Sequence, residues 1–255
     1  MHLIKRGKRI AVKAKRLVFP LRIDNHSTYK TLFAGMKGIE IGGPSKCFEK
    51  NGFIPLYDIL GSLDGCNFGT ETIWEGKLNA GKSFQYGNRL GEQYISEASD
   101  LTFIPDEKYD IILSSHCLEH LANPIKALKE WKRILTKSGY LILILPDKTK
   151  TFDRHRPVTA LQHMIDDFES GIDEQDATHF DEVFALHDFS LHPDDCKGEE
   201  FKIRTYKNYQ NRCVHHHVFD INNTVDLLKY MEFKIMQVQF VDPFNIVAIV
   251  QKIDN

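Results

Sequence analysis

The chain has 255 residues, 42% of them hydrophobic and 27% charged, which suits one large globular domain, or a core domain carrying an insertion, with ample material for a buried core. No uninterrupted apolar run approaches roughly 18 residues, so no membrane-spanning helix is expected, and a formal net charge of −2 without a nucleic-acid-binding motif excludes a basic nucleic-acid module. The five cysteines, Cys47, Cys66, Cys117, Cys196 and Cys213, form no CxxC pair and read as free thiols of a reducing, cytoplasmic compartment.

Charge is unevenly placed. Eight Lys and Arg precede Asp24 with no acid among them, leaving 25 basic against 35 acidic residues in the remainder. Leu3, Ile4, Ile10, Ala11, Ala14, Leu17 and Val18 fall on one helical face. Residues 1–30 therefore read as a basic amphipathic helix ahead of a domain spanning 31–255. Its charges interrupt any signal-peptide core. Such a helix either docks on the domain with its basic face solvated or rests peripherally on an anionic membrane surface. Nothing in the sequence sets an oligomeric state.

After residue 36, short apolar runs alternate with helical patterns, as in a parallel α/β sheet. Gly38 to Ile41 reads as the first strand and Phe53 to Tyr57 as the second. The stretch from Gly61 to about Gly91 is long for a loop and should hold irregular or hairpin structure. Tyr109 to Ser114 reads as a buried strand. Asn123 to Leu135 reads as an amphipathic helix, with Pro124 at its start and Ile125, Leu128, Trp131 and Leu135 on its apolar face. Tyr140 to Leu145 is the most apolar strand, stopped by Pro146. Ile221 to Met231 reads as a helix, and Phe233 to Val241 with Asn245 to Gln251 as an antiparallel pair closing the sheet. Between them, residues 148–216 exceed what a doubly wound sheet needs. They read as a largely helical cap, with helices at Thr159 to Glu169 and Asp181 to His187.

Two features point to a bound nucleotide-like group. Gly38-Ile39-Glu40-Ile41-Gly42-Gly43-Pro44-Ser45 is a strand ending in an acid and a tight glycine turn, which lets backbone approach a ligand. Asp58 follows Glu40 by 18 positions, the spacing of one βαβ unit. It reads either as an acid accepting two ribose hydroxyls or as a surface turn aspartate.

The run Tyr109-Asp110-Ile111-Ile112-Leu113-Ser114-Ser115-His116-Cys117-Leu118-Glu119-His120-Leu121, with Asn123-Pro124, Glu130, Arg133-Ile134-Leu135 and Ser138-Gly139-Tyr140-Leu141, resembles the fourth strand, helix and fifth strand of class I S-adenosylmethionine-dependent methyltransferases. The resemblance covers residues 36–147 and returns at His217-Val218-Phe219-Asp220. It implies a Rossmann-like doubly wound α/β sheet, mostly parallel with an antiparallel edge strand, and S-adenosylmethionine as cofactor. It also implies roles. Glu40, Gly42 and Gly43 would surround the methionine part and Asp58 would hold the ribose. Glu97 and Ala98 would hold the adenine, with Asp100 as a nearby competitor, and Ser115 and His116 would lie near the sulfonium. Pro44 departs from the family's third glycine. Within the family, the pattern is similar to bacterial methyltransferases associated with surface-glycan synthesis.

Eight of the 12 histidines lie from His155 to His217, among many acids. An alcohol acceptor must lose a proton as it takes the methyl group, and histidine suits that role. Phe152 to Pro157 follows the fifth strand, where the methyl group should point. His155 is therefore the first base candidate, with Asp153 orienting it and Arg156 facing an anionic acceptor. His187 beside Asp188 and the triplet His215-His216-His217, centred on His216, come next. A divalent metal could also acidify a sugar diol, but no HxxxH pair lies in this cluster, and no metal ligand is assigned. The cap's polar and aromatic content suits O-methylation of a sugar or glycan intermediate at the cytoplasmic side. A methyltransferase for a small metabolite and a catalytically silent binding module are the alternatives.

Overall fold

The computed structural model describes residues 21–191 and 196–253. The basic stretch before Leu21 lies outside them. Within the rest of the expected 1–30 helix, residues 21–25 are not helical, and the described helix is α1 (His26–Leu32). Gly38 to Ile41 forms most of β1 (Lys37–Ile41). The second strand is β2 (Ser62–Asn67), parallel to β1 from Lys37↔Ser62 to Ile41↔Cys66.

The expected strand at Phe53 to Tyr57 is instead a buried loop, broken by Pro55 and folded back through Leu56 N–H and Tyr57 N–H to the Phe48 carbonyl. Its apolar residues Ile54, Leu56 and Tyr57 line a core without joining the sheet. β2 carries little apolar pattern because one of its buried positions is Gly65, where the Phe84 ring leaves no room for a side chain. A Cβ on Gly65 would meet the Phe84 ring at 2.0 Å.

The Gly-rich stretch holds two hairpins, β3 (Glu71–Thr72) with β4 (Gly76–Lys77), and β5 (Gly81–Tyr86) with β6 (Arg89–Ile95). β7 (Tyr109–Ser115) follows, then α2 (Pro124–Ile134), capped by the Asn123 side chain accepting from Lys126 N–H. Ile125, Leu128 and Trp131 bury one face of α2 against the sheet, each worth roughly 1.5–3 kcal/mol of transfer free energy. The chain then enters β8 (Leu135–Pro146) directly. Because side chains alternate across a strand, Leu141, Leu143 and Leu145 enter one core while Ile142 and Ile144 enter the other. Both faces are covered, so the strand reads as one apolar run.

The cap contains α3 (Leu161–Glu169), α4 (Phe180–Leu186), α5 (Glu199–Tyr206) and the single turn α6 (Asn208–Asn211). α7 (Ile221–Tyr230) returns to the sheet with a capping box of Asp220 and Asn223, and β9 (Phe233–Val241) and β10 (Asn245–Lys252) close it. The sheet order is β5-β6-β2-β1-β7-β8-β10-β9. β6, β2, β1, β7 and β8 run parallel, with β10 and β9 antiparallel at one edge and β5 at the other. The fold is thus the expected doubly wound α/β sheet, with a second antiparallel edge from the β5–β6 hairpin. Strand order reverses between β1 and β7, where such sheets open a ligand crevice at their carboxyl ends. Among the described residues no helix is long and apolar enough to cross a membrane.

Candidate active site

A cavity of about 780 Å³ opens at that crevice. Five strand ends contribute to its wall: Gly42 after β1, Asn67 and Phe68 at β2, Glu97 and Ala98 after β6, Ser115 and His116 at β7, and Pro146 of β8. The cap supplies the facing wall, including Phe152, Asp153, His187, Arg212 and His215.

The β1 turn is packed tightly. Gly42 has φ +81°, a region that favours glycine, and a Cβ there would press on Cys117 at 3.0 Å. A Cβ on Gly43 would lie 2.2 Å from Cδ of Glu40. Glu40 itself is fully buried behind the turn, outside the cavity wall, and accepts a 2.6 Å bond from the Tyr57 hydroxyl. Burial pushes its carboxyl up to about 7, against the opposing hydrogen bonds from Ser45 and Tyr57. At the end of β2, the Asn67 side chain donates to the Gly43 carbonyl at 2.9 Å, tying the two strand ends together.

Glu97 pairs through Oε1 with Arg212, while its buried Oε2 has no protein partner. Ala98 lies beside it, its carbonyl held by the Trp131 indole N–H at 2.9 Å. A wall acid with an open acceptor beside a small residue fits an adenine amino group. The glycine turn fits the tail of the same ligand. His116, at φ +51°, is held between Asn245 Oδ1 at 2.9 Å and Glu119 Oε1 at 3.3 Å. Burial opposes its charge, but Glu119 outweighs this and raises its pKa.

The wall contributed by the cap centres on Asp153. Its carboxylate is buried, 2.9 Å from Arg156 Nη1 and 2.6 Å from His215 Nδ1. Burial opposes its charge, yet His215 and Arg156 hold it down at about 2. His120 meets His215 edge to face, with ring centroids 4.5 Å apart, and burial pushes its pKa down to about 3. Glu119, His120 and His215 bring ligand atoms within 4.8 Å of one another on this wall. A second such group, His163, Asp167, His179 and His217, lies outside the cavity lining.

Residues 72–143 match the family model of a methyltransferase domain. The matched segment is a methyltransferase domain. An S-adenosylmethionine-dependent methyltransferase from Methanosarcina mazei shares the fold at 18% identity and TM-score 0.50, over 92% of this chain and 100% of that one. Enzymes from Thermotoga maritima (17% identity, TM-score 0.45, 89% and 86% covered) and Mesorhizobium loti (12%, 0.47, 86% and 92%) are similar structures. No curated protein sequence matches the chain.

Gly42, Glu97, Ala98, Ser115 and His116 come together on one wall of the cavity. Glu40 and Gly43 support the turn from behind. Asp58 does not join them. It is exposed in the loop before β2, because the strand expected to end there is not a strand, and Asn67 stands at the β2 end instead.

His155 is also elsewhere. It is 56% exposed and faces Asp188 at 3.4 Å, so Asp153 orients His215 rather than His155. Arg156 is spent on Asp153, Glu182 and the His215 carbonyl, which leaves it no charge for an anionic acceptor. His187 lines the cavity, stacked on Phe152 at 4.6 Å. His216 turns away, bonded to Asn208 at 3.0 Å. The triplet is a bent segment, so its three rings enter three environments rather than alternating as on a strand. Sequence reasoning passed over Arg212 and Asn67, and named His215 only as part of the triplet. Nothing local distinguishes these residues, since their partners lie 38 to 115 positions away for Arg212, 62 for His215 and 24 for Asn67.

Proposed function

We propose that the domain transfers a methyl group to a hydroxyl of a sugar or glycan intermediate, with His215 as the base. The Asp153–His215 contact of 2.6 Å on the cavity wall carries this reading. Asp153 occupies Nδ1 and leaves Nε2 as the base nitrogen, and the carboxylate stabilises the ring once it is protonated. Held at Glu97, Ala98 and the Gly42 turn, S-adenosylmethionine would supply the electrophilic methyl group, and His215 Nε2 would take the proton of the acceptor hydroxyl. Alignment of acceptor and donor in one cavity provides much of the acceleration.

A sugar acceptor is favoured by the mixed wall. Trp74 lines the cavity, stays 51% exposed and packs on His120 at 5.2 Å, so it offers an aromatic face beside polar imidazoles. The test uses labelled cofactor with panels of sugars, glycans and small metabolites. Labelling confined to hydroxyls of sugars supports the proposal, and labelling confined to small metabolites rejects it. With an acceptor in hand, His215→Asn should lower kcat about 10²- to 10⁴-fold while calorimetry finds cofactor affinity unchanged. An unaltered kcat removes His215 from the reaction.

A further inference from the structure

Away from the cavity, four side chains converge from three parts of the cap and wall. His163 and Asp167 are four residues apart on α3 and share one helix face. His179 is the residue ahead of α4, and His217 ends the histidine triplet. His163 Nε2 lies 3.1 Å from His179 Nε2 and 3.4 Å from Asp167 Oδ2. His217 Nε2 lies 3.0 Å from Asp167 Oδ2, and all four ligand atoms fall within 4.8 Å of one another.

The proton count does not close within this group. His217 is fully buried, and both its ring nitrogens face oxygens: Nδ1 the Leu121 carbonyl at 3.2 Å, Nε2 the Asp167 carboxylate. A carbonyl and a carboxylate only accept, whereas a neutral imidazole has a single N–H. If Nδ1–H serves Leu121, a lone pair on Nε2 points at a carboxylate. A second proton would place a cationic ring where hydration is lost. A metal ion between Nε2 and Asp167 resolves the conflict. The Leu121 carbonyl then becomes the outer partner that fixes the ring's tautomer, as metal-bound histidines require. Tetrahedral coordination at about 2.0–2.1 Å places ligand atoms about 3.3 Å apart, close to the three contacts observed.

We propose that His163, Asp167, His179 and His217 form a closed, four-coordinate site for a zinc-like divalent ion that clasps the cap to the domain. Three imidazoles and one carboxylate suit zinc among divalent metals. Four protein ligands leave no open position, so the ion is structural rather than catalytic. It joins α3, the start of α4 and the segment carrying His215. His217 N–H also bonds the Glu119 carbonyl at 3.3 Å, so the ion anchors the loop after β7 as well.

The test is metal content, independent of any methyl-transfer assay. Tag-free protein is loaded with zinc, gel-filtered and measured by elemental mass spectrometry, with affinity from competition against a chromophoric chelator. The expected result is about one zinc per chain, with His163→Ala weakening binding by more than the about 100-fold that loss of an outer partner costs. The His163 side chain is 41% exposed, so this variant should still fold. His155→Ala, outside the cluster, should bind as the parent does. Cobalt in place of zinc should give the intense visible band of a tetrahedral site. Zinc-free wild-type protein after loading, equal affinity in His163→Ala, or an octahedral cobalt spectrum would each overturn the site.

Discussion

The two sides of the cavity are made differently. On the sheet side, the lining residues sit at the ends of β1, β2, β6 and β7 or within three positions beyond them, and apolar cores on both sheet faces hold them in place. On the cap side the small apolar cluster of Phe180, Val183, Phe201 and Val214 is joined by ion pairs of two buried arginines: Arg156 with buried Asp153 and half-buried Glu182, and Arg212 with buried Glu174 and half-buried Glu97. Hydrophobic packing tolerates substitution of similar volume, whereas a buried charge that loses its partner is left desolvated. The sheet wall should therefore be robust in stability and sensitive in shape. The cap wall should be sensitive in charge.

The hardest test of this contrast is Arg156→Met. It strips a cation from two carboxylates and should cost about 3 to 5 kcal/mol in denaturant-derived stability. A loss below about 1 kcal/mol would mean that the ion network does not hold the cap. Next in size is Gly43→Ala, whose Cβ collides with Glu40. Calorimetry should show cofactor affinity falling tenfold or more, about 1.4 kcal/mol; unchanged affinity would show that the turn yields freely.

Glu40 gives a smaller, pH-dependent effect. Burial raises its folded pKa from 4.5 to about 7, so the fold favours the protonated form. That stabilisation is complete below the unfolded value and is lost as pH rises through about 7. Melting temperature of the cofactor-free protein should fall across that window, and Glu40→Gln should flatten the fall. A parallel pH profile in the variant would assign the fall to other groups. The smallest effect is expected at Asp58, which is exposed and off the cavity. Asp58→Asn should shift cofactor affinity by less than about twofold, since surface changes stay within about 0.5 kcal/mol, while Asn67→Ala should weaken it measurably. A large Asp58 effect would restore it to the ribose site.

The contrast also explains what could be read in advance. β1, β7, α2, β8, α7, β9 and β10 lie within a few residues of where periodicity, Pro124 and Pro146 place them. Their pattern comes from burial on defined faces, which leaves a local trace. β2 left none, because Gly65 is shaped by Phe84, a residue 19 positions on. The loop at Ile54 to Tyr57 misled because apolar side chains mark burial, not strand pairing. In the cap, histidines and acids were recognised as a group, but the pair read from nearby positions, Asp153 with His155, is not the one the fold makes. The i, i+4 spacing of His163 and Asp167 was open to view on an expected helix; His179 and His217 could not be matched to it from order alone.

The sequence by itself determined the sheet apart from β2, its main helices and the glycine turn, because each depends on neighbours close along the chain or on a repeating period. Only the tertiary structure decided that Asp153 belongs to His215, that Arg156 is spent on carboxylates, and that Asp58 stands apart. Those choices depend on which distant groups meet in a low-dielectric interior, where a charge's partner sets its role.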